Sequence, residues 1–321
     1  MIPATPETPS PGCAPFFIVG SGRSGSTLLR MMLSSHSLVS IPPETWFLLD
    51  IIDNFPLDAP LDEQQIAALI DTITGHYRWP DLDINATDFT ADVARLKEPA
   101  IANIALLVYQ SFLQRENKRV WGDKTPPYIR IVPQLAQLFP GAKFIYLVRD
   151  GRDVTLSLHS QGWNGQWLYG NTREWRESQI LYDKLAASEL SASLMTVKYE
   201  ALVDQPEKTL RAICSFIGLE FEPAQLDWQQ GVEEKVPDRE KHIHGKLNRK
   251  PKSSDKSRWK SELSGLQVLS IESSIHQQLR SAGYTPKYNS PIWIPVLWLT
   301  RLYCSTVLPA YSFGQRLYRY A

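Results

Sequence analysis

The apolar positions change their period several times along the chain. Phe16-Phe17-Ile18-Val19 is a continuous apolar run that meets Gly20, the pattern of a buried strand ending in a tight loop. From Thr27 onward, Leu28, Leu29, Met32 and Leu33 recur at helical spacing, so the first unit reads strand, Gly/Ser-rich loop, helix. Helical periodicity returns over Asp62 to Asp71 and Ala91 to Gln114, with Trp79-Pro80-Asp81 and the polar stretch after it as an intervening loop. Val120-Trp121 predicts a brief strand entering Gly122-Asp123-Lys124-Thr125-Pro126-Pro127, and Ile131 to Phe139 predicts a helix closed by Pro140-Gly141. Lys143 to Val148 is almost wholly apolar, as a strand covered on both faces must be, and it ends at Arg149-Asp150-Gly151-Arg152 before a helix. Leu194 to Tyr199 gives a further strand and Pro206 to Ile217 a further helix.

Strands alternating with helices predict an α/β fold. The expected architecture is a single domain over residues 16–290, a parallel sheet with right-handed crossovers flanked by helices, with a helical insertion at 51–119. In such sheets ligands bind beyond the carboxyl ends of the strands. The proline-rich residues 1–15 predict a disordered leader without the basic and apolar regions of a signal peptide. Residues 241–260 crowd Lys241, Lys246, Arg249, Lys250, Lys252, Lys256, Arg258 and Lys260 into a segment with Gly245 and Pro251, which predicts a basic loop. The aromatic tail at 291–321 is too short and interrupted to span a bilayer. Trp293, Val296, Leu297 and Trp298 predict a C-terminal helix packed on the domain, with a membrane-surface contact or a dimer face as the alternative.

Charge removes some partners from consideration. The chain has 34 Lys and Arg against 34 Asp and Glu, so its overall charge gives no ground for a nucleic-acid partner, and any anion site must be a local cluster. Cys13, Cys214 and Cys304 are odd in number and far apart, which fits reduced thiols in a cytoplasm. His242 and His244 have no acid or cysteine to complete a metal site, so no metal ion is expected.

The chemistry concentrates in two constellations. Gly20-Ser21-Gly22-Arg23-Ser24-Gly25-Ser26-Thr27 has the spacing of a phosphate-binding loop, which makes the expected sheet P-loop NTPase-like, but Ser26 stands where a nucleoside triphosphatase has lysine. Backbone N–H groups, hydroxyls and Arg23 suit one phosphate better than three. Arg149, at the end of a buried strand, and Ser157, two helical turns on, are placed to grip a second phosphate. The competing interpretation has Arg149, Asp150, Arg152 and Asp153 satisfying one another in a surface ion-pair cluster.

These blocks resemble the sulfotransferases that use 3′-phosphoadenosine 5′-phosphosulfate (PAPS), in particular the tyrosylprotein sulfotransferase-like branch. GSGRSGSTLLRMML is similar to the family's 5′-phosphosulfate loop, LVRDGRDVTLS to its 3′-phosphate motif, PPET to its catalytic-glutamate block and GDKTP to its active-site lysine block. The resemblance implies a catalytic base at Glu44, charge stabilisation by Arg23 and Lys124, and cofactor contacts from Arg23, Ser24, Gly25, Ser26, Thr27, Arg149, Ser157 and Tyr199. SSDKSRWK is similar to the family's loop over the adenine, implying contacts from Ser257, Arg258 and Trp259 and a cofactor flap at 241–260. One departure is Gln161, where relatives often carry a basic residue.

What the resemblance implies is in-line sulfuryl transfer from PAPS to a hydroxyl of a small-molecule, lipid or peptide acceptor, releasing PAP (3′-phosphoadenosine 5′-phosphate) without a metal; the leader and the cysteines predict a cytoplasmic location. Two rivals remain at this point: a P-loop kinase or NTPase, and a non-catalytic, membrane-peripheral anion-binding protein.

Overall fold

A computed structural model describes residues 15–161, 168–229, 237 and 249–306. Among these, five strands form one parallel sheet: β1 (Phe16–Gly20), β2 (Val39–Ser40), β3 (Val120–Lys124), β4 (Lys143–Val148) and β5 (Leu194–Lys198). Their order is β2-β3-β1-β4-β5, which places the strand that feeds the Gly/Ser loop at the centre.

Helix α1 (Ser26–Ser34) follows β1. Between β2 and β3 run α2 (Phe47–Asn54), α3 (Glu63–Thr74), α4 (Trp79–Leu82), α5 (Ala86–Val93) and α6 (Ile101–Glu116). A 3₁₀ turn at Pro126–Ile131 and α7 (Val132–Leu138) join β3 to β4, and α8 (Gly151–Ser160) and α9 (Arg173–Ala186) precede β5. After β5 come α10 (Tyr199–Asp204), α11 (Pro206–Phe216), α12 (Trp259–Glu262), α13 (Gly265–Ser281) and a last helix, α14, over 294–306.

The unbroken apolar runs of β1 and β4 have a direct cause. Side chains alternate between faces, and both faces are covered. Phe17 and Val19 join Phe144 and Tyr146 in the core beneath α2–α9 and α13, whereas Phe16 and Ile18 join Ile145 and Leu147 in the core beneath α1, α10 and α11. The helices between β2 and β3 belong to the first core, since Leu69, Ile73, Trp79, Phe89 and Ile104 are buried in it.

Several local expectations need correction. The helix expected over Ala91 to Gln114 is two helices, α5 and α6, because Pro99 lacks an N–H and drives the residue before it out of the helical region. Trp79-Pro80-Asp81 is a helical turn rather than a loop, with the proline in the first turn, where its missing N–H costs nothing. The brief strand at Val120-Trp121 runs on to Lys124, and β2 and α10 lie where no element was expected. The expected basic loop contains a 3₁₀ turn at Ser253–Asp255 and α12, while residues 241–248, with Lys241, His242, His244 and Lys246, lie outside the described residues. So do residues 1–14 and 307–321. Cys214 and Cys304 are buried free thiols, and no described helix is long and apolar enough to cross a membrane.

Candidate active site

Every strand delivers a site segment at its carboxyl end, so the parallel sheet gathers residues that are distant in sequence. β1 leads into Ser21–Gly25 and then the N-terminus of α1 at Ser26 and Thr27. Gly25 caps α1 with φ 95°, and a Cβ there would stand 2.4 Å from the Tyr199 ring, so only glycine permits this approach. The buried hydroxyls of Ser21 and Ser24 are 2.8 Å apart, and the Gly22 N–H donates to Glu174 of α9 at 2.7 Å.

Beyond β2, Pro42-Pro43 leads to Glu44. Its Oε1 accepts from Nζ of Lys124, the last residue of β3, at 2.5 Å. Lys124 is 1% exposed and also donates to Oγ1 of Thr27 at 3.4 Å, so base, lysine and loop helix meet at one point. Oε2 of Glu44 accepts from Nε1 of Trp46 at 2.8 Å and from Nη2 of Arg78 at 3.3 Å. Trp46 has φ 59°, a left-handed conformation unusual for so bulky a residue and concentrated at functional sites.

A buried relay fixes this segment. Leu48 N–H donates to the Tyr128 hydroxyl at 3.2 Å, and Thr45 Oγ1 donates to Oδ2 of Asp123 at 2.8 Å. That leaves Tyr128 to donate to Thr45 at 2.6 Å, while the Tyr109 hydroxyl donates to Asp123 at 3.1 Å. Burial pushes the Asp123 carboxyl up to about 6, against the lowering effect of those hydroxyls and of Lys124.

The second cluster forms at the ends of β4 and β5. Arg149 stacks 4.5 Å over the Tyr199 ring, and its Nη2 donates to the Asp255 carbonyl at 2.7 Å. Its Nε is buried without a hydrogen-bond partner among the described residues. Arg23, with φ 65°, donates from Nε to Ser157 Oγ at 3.2 Å, tying the first loop to the second motif.

The surface ion-pair cluster expected as the rival interpretation is realised only in part, and it is buried. Arg152 is held by both oxygens of Asp150, at 2.9 and 2.7 Å, and by Glu272 at 2.7 Å. Asp153 pairs with Arg149 at 3.8 Å and also accepts the N–H groups of Ser257 (2.7 Å) and Trp259 (2.9 Å), clamping the segment over the sheet edge, and burial raises its carboxyl from the ordinary range although Arg149 opposes this. The Trp259 ring lies 3.7 Å from the Arg152 guanidinium. The Arg258 side chain donates twice to Glu262, at 2.7 and 2.9 Å, and also feels the charges of Asp153 and Asp255. Gln161 is exposed at the end of α8.

Arg78, Trp46, Asp123 and Glu174 were not identified from sequence, and Asp153 entered only as a member of the ion-pair cluster. Arg78 lies between helices with no periodic pattern to mark it. An acid inside a strand is the one signal that singles out Asp123, because buried acids need partners.

Comparison with known proteins places this geometry. The profile of the sulfotransferase family matches residues 15–223. The chain is 25% identical over 245 residues to nodulation protein NoeE of Sinorhizobium fredii (strain NBRC 101917 / NGR234), covering 68% of this chain and 52% of that protein. It is 23% identical over 292 residues to a protein-tyrosine sulfotransferase of Drosophila melanogaster, covering 86% and 52%. The chain thus spans about half the length of these two curated relatives. Among solved structures it is similar to the sulfotransferase domain of the Synechococcus PCC 7002 olefin synthase, with TM-score 0.58 and 26% identity over 87% of this chain and 97% of that one. The sulfotransferase domain from the curacin biosynthetic pathway shares the fold, with TM-score 0.59 and 22% identity over 86% of this chain and 99% of that one. The fold is the P-loop NTPase-like α/β fold of those enzymes.

Proposed function

The chain belongs to the sulfotransferase family, and from that membership we propose that it moves a sulfuryl group from PAPS to the hydroxyl oxygen of an alcohol or phenol. The observation that carries the proposal is the meeting of Glu44 and Lys124, 2.5 Å apart, beside Thr27 at the opening of the phosphate loop.

The residues present suit the proposed donor. The buried Nε of Arg149 lacks a hydrogen-bond partner among the described residues, the Gly25 backbone is bare where a side chain would collide with Tyr199, and the two clusters supply N–H groups, hydroxyls and guanidinium groups. Ser24, Gly25, Ser26 and Thr27 would hold the 5′-phosphosulfate with Arg23, and Arg149 and Ser157 the 3′-phosphate. Tyr199, Ser257, Arg258 and Trp259 would enclose the nucleoside. PAPS, when bound, supplies a sulfuryl group whose bond to phosphate breaks as the acceptor oxygen bonds to sulfur.

Glu44 takes the acceptor's proton. Lys124 faces both Glu44 and the loop, and with Arg23 it stabilises charge on the departing phosphate. Trp46 and Arg78 hold the Glu44 carboxylate in place. This set of cations suits transfer without a metal ion. The buried free thiols Cys214 and Cys304 fit a reducing compartment, which keeps the cytoplasm as the proposed location. Peptidyl tyrosine, named by the Drosophila relative, belongs in the acceptor screen beside sugars and lipids.

Neither rival gains support. A kinase or NTPase needs the loop lysine that Ser26 replaces, and a non-catalytic binding protein has no use for a glutamate held by three donors. The test is thermal stability with PAP, with ATP and Mg²⁺, and with AMP, since a ligand that binds only the folded state raises the melting temperature. PAP is expected to raise it, less so in Arg23→Ala and Arg149→Ala. Stabilisation by ATP with Mg²⁺ but not by PAP would overturn the proposal.

A further inference from the structure

Helix α14 is anchored by one narrow stripe. Leu297 and Cys304, seven residues apart, are its buried positions, and the Cys304 sulfur lies 3.4 Å from the Ser270 hydroxyl of α13. Beside and opposite this stripe, apolar side chains face solvent: Ile294 (61% exposed), Trp298 (65%), Leu299 (60%), Leu302 and Tyr303. Ile292 and Trp293 extend the patch just ahead of the helix. A contiguous exposed patch of this kind on a folded domain marks an interaction surface.

The charge around the patch selects the partner. Between α14, α9 and α13 runs a groove of about 480 Å³ whose lining includes Arg176, Arg301 and His276 beside Ile180, Leu297 and Trp298, and no acidic residue among the described residues. The same bias runs through the sequence. From Ser273 to Ala321 there is no aspartate or glutamate, while Arg280, Lys287, Arg301, Arg316 and Arg319 are present. An aromatic, apolar helix face bordered by arginines is the composition that lies in a bilayer interface, tryptophan and tyrosine at headgroup level and arginine at anionic lipid. A second copy of this chain fits worse, because a two-fold contact through this face would bring each copy's arginines onto the other's.

We propose that the outer face of α14 and its cationic groove dock the protein on an anionic lipid bilayer. The inference stands independently of sulfuryl transfer. It is tested by flotation of the full chain with vesicles of phosphatidylcholine alone and of phosphatidylcholine with phosphatidylglycerol, at low and high salt, with light scattering on the free protein. The expected result is co-flotation with the anionic vesicles that high salt weakens. Trp298→Ser with Leu302→Ser should lose that bound fraction, and Arg176→Gln with Arg301→Gln should lose the preference for anionic lipid. The substituted apolar side chains are exposed, so the melting temperature should be retained; if the serine variant misfolds, the arginine variant and the salt series still decide. Flotation with neither vesicle, or equally with both, overturns the proposal. So does a solution dimer that the serine variant splits while vesicles remain unbound.

Discussion

Oε2 of Glu44 receives two donors, Trp46 Nε1 and Arg78 Nη2, while Oε1 receives Lys124. If Glu44 removes the acceptor proton, Glu44→Gln keeps the side chain's size but not the base, and it turns one of two accepting oxygens into an NH₂ group that faces donors. Turnover should fall by about 10²–10⁴-fold while PAP affinity, measured by calorimetry, is unchanged. Arg78 touches neither phosphate motif, so it is a positioning residue. Its removal should lower kcat and leave KM for PAPS near that of the parent, with some fall in melting temperature because Glu44 and Asp81 lose a buried cation. Arg78→Lys should recover only part of kcat, because an ammonium lacks the planar fork that here holds Glu44 and Asp81 together. A KM for PAPS that rises in step with the loss of kcat would assign Arg78 a merely structural role.

At the scale of elements, the two anchors of the site are buried acids with opposite duties. Asp123 on β3 pins Thr45, and burial raises its folded carboxyl from 3.8 to about 6. Folding therefore favours its protonated form. The stability it contributes is fully present below about pH 4 and is lost as pH rises through about 6, by roughly 3 kcal/mol. Urea unfolding from pH 4 to 7 should show this decline in the parent and a flatter profile in Asp123→Asn. Asp153 on α8 works on backbone instead, holding Ser257 and Trp259. Asp153→Ala should speed amide exchange across 253–262 and weaken PAP binding, while β1 and β4 keep their protection; equal protection across 253–262 would show that the clamp lies elsewhere. These elements also show what the sequence could reveal. β1 and β4 were legible because strands buried on both faces must be apolar throughout, whereas the two-residue β2 has no periodicity to detect, and the division of α5 from α6 depends on a single proline.

Over the whole molecule, the strand ends that form the site were legible through their motifs, since a parallel sheet forces such loops to one edge. The lateral contacts were not. Arg78 reaches Glu44 across 34 positions and Glu174 reaches Gly22 across 152, and no local pattern encodes such pairings. The overall charge balance hides the same concentration of function: a chain with formal net charge zero gathers Arg23, Lys124, Arg149 and the N-terminus of α1 at one edge. Such a cluster supplies the positive potential that a departing phosphate requires, the role that Mg²⁺ fills in kinases. Transfer from PAPS should therefore be indifferent to metal. After dialysis against EDTA, kcat and KM should match those of the untreated protein, and added Mg²⁺ should not stimulate. A rate that disappears with EDTA and returns with Mg²⁺ would mean that these side chains do not suffice, and would restore the nucleoside-triphosphate reading that Ser26 argues against.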